Sequence, residues 1–201
     1  MKITLVSIFP DLQSFGIRTI SACLKKDGHD VDLIFLQKDF SQRFADKTMD
    51  DLVKLTKESD LVGITVMSNY WDNAIQITEK IKENYGIPVV WGGTHPTIRP
   101  DECLDHTDMV CIGESEESFP ELARKMEMGQ NYHDTKGMAF KVNGKKINNS
   151  HRPLPGTKGS KYTSLDQVPF QDYDYKTQYM MQDEDIVQMT EELLTQTRFL
   201  E

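Results

Sequence analysis

The chain has only three cysteines in 201 residues, Cys23, Cys103 and Cys111, and no pair stands in a C-x-x-C spacing. That excludes a disulfide framework and a zinc or iron–sulfur centre built by this chain alone, and it suits a reducing cytoplasm. No apolar run is long enough to cross a bilayer, and the opening MKITLVSIF reads as a strand rather than a signal peptide. Positive charge is in short supply. Lys and Arg number 23 against 32 Asp and Glu, and the formal charge of −9 argues against a nucleic-acid partner. Neither G-x-G-x-x-G nor G-x-x-x-x-G-K-[ST] occurs, which speaks against a dinucleotide or nucleoside-triphosphate site. These absences leave a cytoplasmic protein with no membrane or nucleic-acid partner and no side chain assigned as a metal ligand.

What is present is a regular alternation of apolar runs and helical patterns. ITLVSIF (3–9), VDLIFL (31–36), LVGITVM (61–67), IPVVWGG (87–93) and MVCIG (109–113) read as buried strands. Between them lie helical segments at about 12–27, carrying Ile17, Ile20, Ala22 and Leu24, at 49–59, and at 73–86, stopped by Gly86. A last one, 118–129, has a Ser118–Glu121 capping-box spacing. Strand–helix alternation with nearly continuous apolar strands predicts an α/β fold. Its core is a doubly wound five-stranded parallel sheet, Rossmann-like or flavodoxin-like, in the order 2-1-3-4-5. Residues 137–150 predict a β-hairpin about Asn143-Gly144, and 152–176, rich in Pro, Gly, Ser and Tyr, an extended tail or connector. The final DEDIVQMTEELLTQTRFLE predicts a helix through Ile186, Met189 and Leu193.

In such a sheet a ligand lies beyond the carboxyl ends of the strands, where the strand order reverses. The unusual residues of this sequence fall there: FPDLQSFG after the first strand, MSNYW after the third, WGGTHPT after the fourth and GESEES after the fifth. Gly92 and Gly93 remove side chains where a flat or bulky ligand can lie against backbone, and Thr65, Ser68 and Asn69 add small polar groups beside them. Asp11, Gln13 and Gly16 stand in the frame D-x-H-x-x-G, with glutamine in place of the histidine.

The stretch VVWGGTHPTIRPDECLDHTDMVCIGESEESFPELA resembles a pattern of the cobalamin-binding domain at the N-terminus of cobalamin-dependent radical S-adenosylmethionine (SAM) enzymes. KGMAFKVNGK and LDQVPFQDYD are similar to segments that lead into the catalytic barrel of that family, and the resemblance covers about residues 1–175. It implies cobalamin lying over the C-terminal strand ends, with its nucleotide tail folded in near the loops after the third and fourth strands. Matched position by position, it implies cofactor contacts from Asp11, Gln13, Gly16, Thr65, Met67, Ser68, Asn69, Gly92, Gly93, Thr94, His95, Gly113 and Glu114. It also implies a division into 1–130, the cobalamin domain, 131–175, hairpin and connector, and 176–201, the lead-in to a radical SAM domain. That C-terminal domain of the parent would hold a [4Fe–4S] cluster and SAM, and its cysteine motif is absent here. The fragment alone is then not catalytic. The parent would be a methyltransferase or an oxidoreductase, with oxidative cyclisation of magnesium-protoporphyrin monomethyl ester among the family activities. Gln13 departs from the histidine form: an amide is a poor cobalt donor beside imidazole, so the residues predict a histidine-off site.

Other readings stand beside this one. Asp11 also serves as a helix cap, His95 as a partner within its own loop, and Glu114, Glu116 and Glu117 as acids favoured at a helix N-terminus. Tyr70 and Trp71 are either a pocket wall or a packing cap; Cys111 is a packed thiol; His29, His106, His133 and His151 are surface residues. For the whole chain the alternative is a corrinoid-free interaction or regulatory domain. A flavodoxin or receiver domain fits less well, since neither the hydroxyl-rich phosphate loop nor the receiver acids are present.

Overall fold

The computed structural model describes residues 1–198. Five strands, β1 (Lys2–Ser7), β2 (Asp30–Phe35), β3 (Leu61–Thr65), β4 (Val89–Gly92) and β5 (Met109–Cys111), form a parallel core in the expected order 2-1-3-4-5. The hairpin β6 (Met138–Val142) and β7 (Lys145–Asn148) adds antiparallel strands beside β5. Asn143 and Gly144 both have positive φ at its turn, 51° and 77°, as the Asn-Gly pair predicts.

The other edge extends further than the sequence suggests. β8 (Gln178–Gln182) pairs parallel with β2, and β9 (Asp185–Gln188) folds back on it, so among the described residues the sheet has nine strands. This corrects the expected C-terminal helix, in which Ile186 and Met189 shared an apolar face. Asp185–Gln188 is extended, Asp183 turns the hairpin with φ 54°, and helix α7 (Glu191–Arg198) begins only after it. Edge pairing with β8 overrides the helical spacing. Residues 199–201, the end of that expected helix, lie outside the described residues.

Each core strand is apolar on both faces because helices cover both. Ile3, Leu5, Leu61, Val90, Met109 and Cys111 belong to the layer with α1 (Phe15–Lys26) and α6 (Ser118–Glu127). Val6, Ile8, Val62, Ile64, Val89, Trp91 and Val110 belong to the opposite layer with α2 (Asp46–Thr56) and α3 (Trp71–Tyr85). Two short helices, α4 (Thr94–Ile98) and α5 (Pro100–Cys103), carry the chain from β4 to β5. Burying each large aliphatic side chain contributes about 1.5–3 kcal/mol. Among the described residues no helix is long and apolar enough to cross a membrane.

Two local readings need correction. Ser118 does not cap α6: the cap position is Glu117, the Ser118 hydroxyl has no hydrogen-bond partner among the described residues, and Glu121 instead pairs with Arg152 and Lys125. A cationic donor from the connector, the Arg152 guanidinium, takes up the Glu121 carboxylate in place of the reciprocal cap. His29 is buried rather than on the surface, packed beside the terminal amine of Met1 and Glu127.

Candidate functional site

A cavity of about 460 Å³ opens between the sheet, α1 and α6, at the carboxyl ends of β1, β3, β4 and β5. The sequence makes room for it by small residues on this face of the central strands. Gly63 and Thr65 on β3 and Gly92 on β4 alternate toward the α1–α6 layer, while Ile64 and Trp91 point the other way into the core. Apolar walls come from Leu5, Ile17, Ile20, Val90, Cys111 and Phe119. Burial pushes the Cys111 thiol up to about 12, so it is an inert packed thiol, as expected.

The β1–α1 loop supplies one side. Asp11 accepts the Ser14 N–H at its Oδ1 (2.9 Å), and Ser14 takes the left-handed conformation at φ 32°. Asp11 therefore shapes the turn that starts α1, and Ser14, not Asp11, is the capping position. The Ser14 hydroxyl bonds Ser7 Oγ at 2.9 Å, fastening the loop to the end of β1. Gln13 lines the cavity, and among the described residues its side-chain amide makes no hydrogen bond.

The β4–α4 turn supplies the opposite side. Gly93 has φ +109°, and a Cβ there would lie 2.9 Å from the Val66 carbonyl oxygen, so only glycine fits. Thr97 accepts the Gly113 N–H at 3.0 Å, which joins this turn to the β5–α6 loop. In that loop Glu114, Ser115 and Glu116 reach the cavity wall. Glu116 has a buried oxygen, Oε2, without a hydrogen-bond partner among the described residues, and burial first, then the charges of Glu114 and Glu117, holds its carboxyl above the ordinary carboxylate range. Beyond Glu114 and Glu116 lies a second cavity of about 760 Å³ under the connector, bordered by Leu154, Leu165 and Phe170. Glu117 is spent differently, accepting from Ser160 Oγ and the Lys161 N–H and facing Arg152.

Of the residues expected to touch a cofactor, Asp11, Gln13, Gly16, Thr65, Met67, Gly92, Gly93, Thr94, Gly113 and Glu114 all line this cavity. Ser68, Asn69 and His95 do not. Ser68 bonds His95 Nδ1 at 2.9 Å, and His95 packs edge-on against Trp71 at 4.7 Å, away from the cavity. Tyr70 and Trp71 are a packing cap: Tyr70 is buried and Trp71 meets Trp91 edge-on at 5.4 Å. Reasoning from motifs missed Leu5, Ile17, Ile20, Gly63, Glu116 and Phe119. Gly63, a glycine inside an apolar strand run, carried the signal of a close approach.

Gly16 tests whether a large group fits. It lies in the first turn of α1, lines the cavity and needs no positive φ, and a Cβ built on it would meet nothing within 4 Å. A helical glycine costs up to about 1 kcal/mol relative to alanine. Among the described residues no atom approaches this bare position, whereas a ligand pressed against the helix would occupy it. The mouth also carries exposed apolar groups, Phe15 and Met67, at 54% and 39% exposure. Such a site suits a large, flat, mostly neutral molecule. Among the described residues no three His, Cys, Asp or Glu side chains gather as a metal centre.

Fold and site together define a doubly wound α/β domain that holds a bulky cofactor at the switch point of its sheet. Residues 1–123 match the family model of the B12 binding domain, and the chain belongs to that family, whose cofactor is cobalamin. It is 31% identical over 159 residues to a protein named as an uncharacterized methyltransferase from Pyrococcus horikoshii, covering 76% of this chain and 32% of the relative. Its fold is similar to that of the radical SAM methyltransferase TsrM from Kitasatospora setae, described with cobalamin and a [4Fe–4S] cluster bound. There the TM-score is 0.65 and the identity 19%, over 79% of this chain and 30% of that one. It is also similar to the cobalamin-dependent SAM radical enzyme OxsB with aqua-cobalamin and SAM bound: TM-score 0.64, identity 18%, over 76% of this chain and 22% of that one. The chain thus spans about a third of the relative from Pyrococcus and less than a third of either structure.

Proposed function

We propose that this chain is the cobalamin-binding part of a radical SAM enzyme, and that it holds the corrinoid without a histidine on cobalt. Gly16 carries this reading, as a helical glycine whose bareness no protein contact explains. The family, the proteins it is similar to and the glycine-lined cavity support it; the D-x-Q-x-x-G departure supports the histidine-off form. Bound there, cobalamin supplies a cobalt centre able to carry a methyl group or pass an electron.

The residues have distinct tasks. Gly92 and Gly93 offer backbone against which a ring system can lie, and Leu5, Val90, Cys111 and Phe119 form a dry floor that would suit the aromatic base of the nucleotide tail. Phe15 and Met67 keep water from the rim. Asp11 holds the loop turn through Ser14, leaving the Gln13 amide to hydrogen-bond a group or a water at the cofactor's lower side. Ser68 and His95, bonded to each other, brace the adjoining loops from behind. The reaction belongs to a following radical SAM domain with its own cluster and SAM, and we favour methyl transfer over oxidative cyclisation because the relatives are named methyltransferases.

Electron paramagnetic resonance of the chain loaded with cob(II)alamin tests this reading. The native chain should show no nitrogen splitting from a protein ligand, and Gln13→His should introduce it. Nitrogen splitting in the native chain that persists with base-labelled cofactor excluded as its source would refute the histidine-off site.

A further inference from the structure

Arg18 presents a puzzle that cofactor contacts do not answer. It falls within the apolar stripe of α1 and is completely buried. A buried guanidinium costs several kcal/mol unless its N–H groups are satisfied. Here Nε donates to the carbonyl oxygens of Leu12 and Gln13, both at 3.0 Å, and Nη2 to Leu12 O at 2.8 Å. Nη1 turns the other way, to Asp172 O and Gln178 Oε1, each at 2.8 Å. The guanidinium carbon lies 4.5 Å from the Phe35 ring centre and 4.6 Å from that of Tyr173, a cation–π placement on both.

One side chain therefore joins two segments about 160 residues apart in sequence. The first is the cavity loop that bears Gln13. The second is the C-terminal arm, outside the part of the chain that matches the family model. The arm is itself well seated. Gln178 is buried at the start of β8 and donates to Asp172 O at 3.0 Å. The Asp172 carboxylate takes Ser21 Oγ at 2.6 Å and Lys25 Nζ at 2.8 Å, and its N–H donates to Arg18 O at 3.1 Å.

We propose that Arg18 is a positioning residue that fixes the Gln13 loop only while the C-terminal arm is docked on β2, so that the arm completes the corrinoid site. This rests on the cobalamin reading above. Planar donors on one rigid group set the directions of the Leu12 and Gln13 carbonyls, and thereby the side of the loop from which the Gln13 amide enters the cavity. If the arm loosens, Nη1 loses the Asp172 carbonyl and Gln178 Oε1, and the directions set by the remaining Leu12 and Gln13 bonds are no longer fixed from both sides.

The test uses the full chain. Arg18→Met removes the link but also a buried charge, so Gln178→Leu, which keeps the volume and removes the acceptor for Nη1 together with the donor to Asp172 O, is the principal variant. Three quantities are read: exchange of the Ser14 and Phe15 amides without corrinoid, hydroxocobalamin affinity, and the effect of Gln13→Ala in both backgrounds. Gln178→Leu should speed the loop amides while leaving those of β3 and β4 unchanged, and weaken hydroxocobalamin about tenfold, the size of one lost charge-assisted hydrogen bond. Gln13→Ala should then cost less in the Gln178→Leu background than in the native chain, because both act through one loop. Unchanged loop exchange, unchanged affinity, or strictly additive effects of the two substitutions would overturn the proposal. A native chain that binds no hydroxocobalamin fails the cobalamin reading instead, and the exchange comparison still decides whether the arm sets the loop.

Discussion

Phe119 fills the space that a side chain on Gly63 would need: a Cβ at Gly63 would lie 2.9 Å from the Phe119 ring. The same Cβ would come within 2.7 Å of Leu5 Cδ2. Glycine in mid-strand thus lets the first turn of α6 settle on β3, and the ring becomes part of the cavity floor. Gly63→Ala should lose about 1–3 kcal/mol through overpacking. Urea denaturation of the free chain measures this, with an unchanged midpoint as the contrary result.

Gly16 should respond in the opposite sense. Its Cβ would meet nothing in the protein, so Gly16→Ala should stabilise the free chain by up to about 1 kcal/mol through helix propensity. The same methyl faces the proposed cofactor, and hydroxocobalamin affinity should fall about tenfold, ~1.4 kcal/mol. Greater stability with weaker binding separates a ligand-facing glycine from a packing one; equal affinity would remove Gly16 from the site.

Glu116 predicts a pH dependence. Its carboxyl is held above the ordinary range by burial, so the folded chain binds its proton at higher pH than the unfolded chain does. The stability it contributes is complete below the unfolded value and is lost as pH rises through the folded one. Glu116→Gln should therefore stabilise the chain at neutral pH, on the order of 1 kcal/mol, with little change in strong acid. Thermal melts at several pH values test it; equal gains at every pH would assign the effect to something other than titration.

Arg152 holds the connector. It reaches the Lys136 carbonyl at 3.1 Å and faces Glu117 and Glu121 across α6. Arg152→Met should lower stability by about 1–3 kcal/mol, since it takes a charged donor from both Glu117 and Glu121 and leaves them to Ser160, Lys161 and Lys125 alone. Limited proteolysis should then cut more readily between residues 153 and 171. A digestion pattern like that of the native chain would mean that the connector is held from elsewhere.

Much of this molecule was legible in the residues because the parallel core is coded locally. ITLVSIF, LVGITVM and MVCIG are apolar on both faces, and two of the helices between them, α1 and α3, stop at Gly28 and Gly86. The Asn143-Gly144 turn is equally local. The C-terminal arm was not legible, since Asp185–Gln188 becomes a strand only when β8 finds the edge of β2, a pairing between segments far apart in sequence. The site divides along the same line. Glycines and polar residues at strand ends could be read from spacing, and ten of the thirteen line the cavity. Ser68 and His95 belong to the same loops but turn toward each other, which spacing cannot reveal. Glu116 and Phe119 were missed because their role depends on where α6 packs against Gly63.

The central claim is that the cavity between α1 and α6 holds cobalamin with no protein nitrogen on cobalt. Titration of the native chain with hydroxocobalamin, followed by visible absorption and by retention through gel filtration, tests it most directly. The account predicts retention approaching one corrinoid per chain, a base-off spectrum, and a clear loss of retention in Gly16→Leu. Corrinoid eluting wholly apart from the native chain, or binding that Gly16→Leu leaves untouched, would contradict it.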